Sequence, residues 1–214
     1  MSTTVSTYVD AKLNELANSR SHFEKLFYFL EDEELLFIPE GELWSAIECI
    51  EHINNVNEVY LPQLTKICQL ENAKERESLT LSGFQKWVGN KMAPLSSAGS
   101  KVPAPKSIQP RRLRNPDLKI APQKVMENFI SDLSQLEKII RIIPHSKELS
   151  NARVQSVVPA VKLKALTAIE ILVPHIQRHM EQAQRILEGG RNAKLEAEAN
   201  KNPDLIYPTA PTKE

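Results

Sequence analysis

The stretch Leu43–Leu70, LWSAIECIEHINNVNEVYLPQLTKICQL, marks its own helix start. Ser45 is followed three residues later by Glu48, the spacing of a capping box in which each side chain satisfies the other's backbone N–H. Trp44 and Cys49 stand at the positions of a hydrophobic staple across that start. The spacing predicts a helix from 45 to about 70, with Pro62 as a local kink or partial break because it removes a backbone donor. His52, three residues after Cys49 and four before Val56, falls on the side of this helix that reads as buried.

On the N-terminal side, Val9, Leu13, Leu16, Phe23, Leu26, Phe27 and Leu30 recur in threes and fours and predict a helix over about 5–30, ended by the acidic run Glu31–Glu34. On the other side, PLSSAGSKVPAPKSIQPRRLRNPDLKIAP (94–122) concentrates prolines that forbid a continuous helix, so 71–121 reads as a crossover. Inside it, Leu81, Phe84, Trp87 and Val88 suffice for a short helix resting on the body. Val125, Phe129, Leu133, Leu136, Ile139, Ile140 and Ile143 form a wide apolar stripe over 123–143, ended by Pro144. After a second connection at 145–159, a last helix is expected over 161–188, with Gly189 and Gly190 as its stop. Residues 191–214 read as a polar, poorly packed tail. Four long helices joined by a long crossover predict an all-α four-helix bundle in residues 1–190, a fold that builds its sites from side chains facing one another across the core.

Composition agrees with a soluble helical protein: 41% of the 214 residues are hydrophobic and 25% charged, with few aromatics and glycines. Twenty-seven basic residues balance 27 acidic ones. That zero net charge leaves no global field to attract polyphosphate, so nucleic acid is not an expected partner. No uncharged run reaches the roughly 18–20 residues a bilayer requires and the start lacks signal-peptide character, so a cytoplasmic location and no membrane are expected. Cys49 and Cys68 are then expected to be reduced.

The last helix contains VPHIQRHMEQAQRIL (173–187), with His175 and His179 four residues apart on the face that carries Leu172, Ala183 and Ile186. A neutral imidazole is a good ligand for zinc, nickel or iron, and a bundle would let His52 face the pair. On spacing alone a second reading stays open, in which these are hydrogen-bonded core residues. HIQRH lacks the glutamate of the HExxH protease motif. Cys49 is a candidate soft ligand, although a small core residue is its plainer role. Asn55 and Gln182 lie one turn beyond His52 and His179, where they can orient an imidazole. Pro174 should bend the helix beside the pair.

Taken together, WSAIECIEHINNVNEVYLPQL and HIQRHMEQAQRIL resemble the second and last helices of the DinB/YfiT-like metalloprotein superfamily, and FQKWVGNKM…VPAPKSIQP resembles its proline-rich crossover. The resemblance implies a bundle of up-down-down-up topology and a divalent ion (zinc, nickel, iron or manganese) on His52, His175 and His179. It also implies metal-dependent transferases that join low-molecular-weight thiols to electrophiles, or hydrolases, and often dimers. A small-molecule substrate, a low-molecular-weight thiol among the candidates, and a homodimer are therefore expected. The competing expectation is a non-catalytic, stress-associated bundle whose metal is structural or absent.

The other candidates rank below this trio. His22 and His145 read as surface or packing residues. Arg111, Arg112 and Arg114 read as makers of surface ion pairs, with guidance of an acidic substrate as the alternative. Phe84 and Trp87 are expected to anchor the crossover or wall a pocket. No phosphate loop, GxSxG elbow or CxxC pair is present, which leaves nucleotide hydrolysis, serine-hydrolase chemistry and thioredoxin-like exchange unsupported.

Overall fold

A computed structural model describes residues 3–69, 77–97, 99, 102–146 and 148–201. In chain order the elements are β1 (Thr3–Thr4), α1 (Val5–Phe27), α2 (Asp32–Leu36), α3 (Ala46–Cys68), β2 (Ser78–Leu79) and α4 (Gly83–Met92). A 3-10 turn at Lys106–Ile108 precedes α5 (Arg111–Arg114) and α6 (Pro122–Ile142), and a second at Ile143–His145 precedes α7 (Glu148–Asn151). Strands β3 (Arg153–Gln155) and β4 (Lys162–Lys164) lead into α8 (Ala165–Lys201). The chain is mostly helical, and α1, α3, α6 and α8 supply its core.

Helix α3 is the central element because nearly every side of it is apolar or buried, with Ile47, Ile50, Ile53 and Leu64 fully enclosed. It packs on α6 and α8, and α1 closes the ring by packing on the same two helices. The stripe expected on α6 is buried from Val125 to Ile140. Phe129 meets Phe23 of α1 at 4.8 Å between ring centroids, and Phe23 in turn stacks on Phe27.

The α3 start is capped as the sequence predicts. Ser45 Oγ accepts from the Glu48 N–H, and Glu48 Oε2 accepts from the Ser45 N–H at 2.8 Å. Pro62 sits inside an unbroken α3. Because Ser45 is 1% exposed, water cannot replace its hydroxyl. Ser45→Ala is expected to lower stability by about 1–2 kcal/mol, read as a lower urea midpoint at unchanged slope.

Three helix limits differ from the sequence reading. Helix α1 stops at Phe27, and the acidic run opens α2 with its own capping box, Glu31 pairing with Glu34, because carboxylates near a helix N-terminus satisfy its orphan N–H groups. The last helix starts at Ala165, since Lys162–Lys164 instead pairs antiparallel with Arg153–Gln155. Gln63 of α3 docks this hairpin, accepting from the Gln155 N–H at 2.8 Å and donating to its carbonyl at 3.1 Å.

Gly189 and Gly190 do not stop α8, which continues to Lys201. Neither adopts the left-handed conformation of a C-cap. Gly190 serves close packing instead, since a Cβ there would lie 3.0 Å from the Phe37 ring, whereas one on Gly189 would make an ordinary contact with Pro39 at 3.7 Å. Residues 191–198 of the expected tail are therefore an exposed helical extension, while 202–214 fall outside the described residues. No helix among the described residues is long and apolar enough to cross a membrane.

Candidate metal centre

Seven residues beyond its Ser45 cap, α3 presents His52 to the interior. Helix α8 presents His175 and His179 one turn apart on the facing side. The three rings converge, with centroids 5.0 Å (His52–His175), 4.5 Å (His52–His179) and 4.5 Å (His175–His179) apart. One nitrogen of each lies within 4.8 Å of the others, and all three side chains are buried, at 2%, 7% and 8% exposure. Among the described residues no cysteine or carboxylate joins the group. Cys49 is buried apart from it, with its thiol pushed up by burial.

Hydrogen bonds select which nitrogens are presented. The Ile108 carbonyl can only accept, so the 2.7 Å contact from His52 Nδ1 places a proton on Nδ1 and leaves the Nε2 lone pair free. Gln182 Oε1 lies 2.9 Å from His179 Nδ1 and holds that ring in the same tautomer. Asn55 Nδ2 donates to the carbonyls of Ile108 and Gln109 at 3.4 and 3.1 Å, fixing the strand of crossover that orients His52. His175 Nε2 lies 3.2 Å from His52 Nε2, while its Nδ1 is buried without a hydrogen-bond partner.

Electrostatics favour the unprotonated rings. Burial lowers His52 to about 4 and holds His175 and His179 well below the ordinary imidazole value, with His52 adding to the effect on His175 and both His175 and His52 adding to it on His179. A cation bound at about 2.0–2.1 Å from tetrahedrally placed nitrogens separates them by about 3.3 Å, close to the 3.2 Å between His52 and His175 Nε2. Neutral rings, presented Nε2 atoms and that separation all fit a divalent ion.

Pro174 does not interrupt α8, so both histidines keep one helix face. Its missing N–H leaves the Glu170 carbonyl without an in-helix donor, and α4 packs closely there. A Cβ on Gly89 would lie 3.4 Å from that oxygen.

Two supports escaped the sequence reading. The Trp44 ring, assigned to a staple, lies 4.9 Å from His52 and 5.8 Å from His179 and so packs against two of the three imidazoles. The arginines of the crossover do more than make surface pairs. Arg112 grips the buried Glu48 carboxylate through Nε at 2.7 Å and a terminal nitrogen at 3.1 Å. Arg111 gives its backbone N–H to Glu51 Oε2 at 2.8 Å and sets its Nε 3.2 Å from Oε1. Arg114 reaches Asn55 Oδ1 at 3.5 Å and the Ser107 carbonyl at 3.3 Å. The signal was present: Glu48 and Glu51 share α3 with His52, and buried carboxylates require partners.

Phe84 and Trp87, expected to anchor the crossover or wall a pocket, stand largely in solvent. They are 55% and 54% exposed and stack on each other, while Gln85 and Val88 face inward. His22 bonds Gln184 at 2.9 Å and ties α1 to α8, and His145 is exposed.

A family model for the DinB superfamily matches residues 15–183, a span that includes all three histidines. Comparison with curated proteins and with solved structures returned no match. With more than half of its length matched, the chain belongs to the DinB superfamily.

Proposed function

We propose that this is a metal-dependent enzyme of the thiol-transferase or hydrolase type acting on a small molecule. In this reading His52, His175 and His179 hold one divalent ion, and α1, α3, α6 and α8 form the up-down-down-up bundle of the family. The observation that carries it is the convergence of three neutral, buried imidazoles from two helices with no carboxylate or thiol among the described residues to complete the set. A bound ion with three nitrogen ligands supplies Lewis acidity, lowering the pKa of water or of a thiol at an open position. The chain's own residues orient and exclude. The Ile108 carbonyl, secured by Asn55, and the Gln182 amide keep protons on Nδ1 of His52 and His179, and Trp44 packs against those two rings.

The packing of Trp44 on two of the rings and the near-complete burial of all three favour a second reading, a non-catalytic bundle in which the ion is structural. Elemental analysis of protein purified without a nickel column tests the binding itself, using wild type, His52→Ala and the double variant His175→Ala/His179→Ala. Near-stoichiometric zinc, nickel, iron or manganese in wild type alone is the expected result. Metal-free wild type that takes up none of the four ions added singly would overturn the site. Cobalt-loaded protein separates the two readings, because an open coordination position changes its visible absorption when a small thiol is added, and a closed one does not.

A further inference from the structure

On the α6 side of α3, a cleft of about 460 Å³ is lined by Glu51, Asn54, Asn57, Glu58, Lys124 and Asp132 among others. Four buried side-chain atoms among the described residues lack a hydrogen-bond partner, and three belong to this lining: Glu51 Oε1, Asn54 Oδ1 and Asn57 Oδ1. Glu51 Oε1 has the Arg111 guanidinium beside it without hydrogen-bond alignment. The two amide oxygens lack a hydrogen-bond partner among the described residues. Each asparagine spends its N–H group on α6, Asn54 donating to the Val125 carbonyl at 2.9 Å and Asn57 to Asp132 Oδ2 at 3.1 Å. Asn57 is 1% exposed, so its orphaned oxygen carries the full cost of lost hydration.

We infer that this cleft binds a small alkylammonium ion, whose N–H groups answer the Asn54 and Asn57 oxygens and whose charge answers Asp132 and Glu58. All the orphaned atoms are acceptors, so the complementary group is a donor. Arg111 is engaged with Glu51 and Lys124 with Glu127, which leaves Asp132 and Glu58 without an ion pair among the described residues. Burial, reinforced by Glu58, pushes the Asp132 carboxyl up to about 6, and a cation in the cleft reverses that shift. A bare divalent cation fits poorly. Calcium takes six or more close oxygens, and among the described residues the carboxylates form no group of three within 4.8 Å as the histidines do. An ammonium is satisfied by about three acceptors, and Leu61, Pro62 and Val125 offer its alkyl chain an apolar wall. The volume lies within the range of small-molecule pockets.

The test is a titration of the full chain followed by the side-chain amide resonances of Asn54 and Asn57, with n-butylammonium chloride as probe and tetramethylammonium chloride as a cation without N–H donors. Expected are saturable shifts of both amides with n-butylammonium at millimolar affinity or tighter, and none with tetramethylammonium. Asp132→Asn should weaken binding at least tenfold. Absent shifts in folded wild type, equal shifts with both cations, or undiminished binding in Asp132→Asn would each overturn the inference. Should Asp132→Asn fail to fold, the rim variant Glu58→Gln takes its place: weakening supports the inference and unchanged affinity overturns it.

Discussion

Chelation of the loaded protein is expected to lower its melting temperature by about 8–16 °C, and a readdition of one equivalent of the same ion should restore it. Cross-linking α3 to α8 through His52, His175 and His179 stabilises only the folded state, by about 4 kcal/mol when free ion exceeds its dissociation constant a thousandfold. At this chain length each kcal/mol moves the midpoint by about 2–4 °C. Superimposable melting curves of loaded and chelated protein would remove the proposed site. The effect carries a pH signature. In the metal-free protein the folded-state value of His52 is about 4, below its unfolded value near 6.5, and His175 and His179 are lowered in the same direction. The unfolded chain therefore binds more protons in this window. Stability is fully present above about pH 6.5 and is lost as pH falls toward 4, by about 3 kcal/mol from His52 alone. Asp132 works with the opposite sign: its folded value, raised to about 6, makes ionisation costly as pH rises from about 4 to 6. Asp132→Asn should accordingly raise the melting temperature at pH 7 while steepening the loss on acidification, a difference visible in paired thermal melts at pH 7 and 5.

How far the fold could be read ahead follows from which interactions are local. The Ser45–Glu48 box and the stripe on α6 are contacts within one turn or along one helix face, and both stand where periodicity placed them. Short-range rules failed where a distant partner decided the outcome. Gly189 and Gly190 look like a stop until Phe37 and Pro39 pack on them from a loop some 150 residues earlier, and Val161–Lys164 looks like a helical turn until Arg153–Gln155 pairs with it. The histidines obeyed the same division. The pairing of His175 with His179 is a local fact of helix spacing, and the approach of His52 follows from the packing of α3 on α8. The carbonyl that sets the His52 tautomer comes from Ile108, in a proline-rich connection whose path no period describes.

That connection is where the second large effect is expected. Arg112→Ala removes both guanidinium bonds from Glu48, a residue 1% exposed, and leaves its carboxylate with the Ser45 N–H as its remaining donor. Breaking one side of a buried pair costs about 3–5 kcal/mol when the stranded charge stays dry. The Arg112 side chain is 39% exposed, so water will reach part of the vacated space, and about 2–3 kcal/mol is the expected loss. Urea denaturation should show it as a lower midpoint. The double variant Glu48→Gln/Arg112→Met, which strands no charge, should recover most of that stability, and a double variant as unstable as Arg112→Ala would show that the arginine acts through packing alone. A second readout reaches the histidines. Arg112 lies four residues after Ile108 in the segment that Glu48, Glu51 and Asn55 hold against α3, so releasing it loosens the carbonyl that orients His52. Loss of such an orienting partner lowers metal affinity by about 10- to 100-fold. Because Glu48→Gln/Arg112→Met restores the fold without restoring the grip, it should retain the affinity loss while shedding the stability loss, and metal titrations beside urea curves would separate the two roles of one arginine.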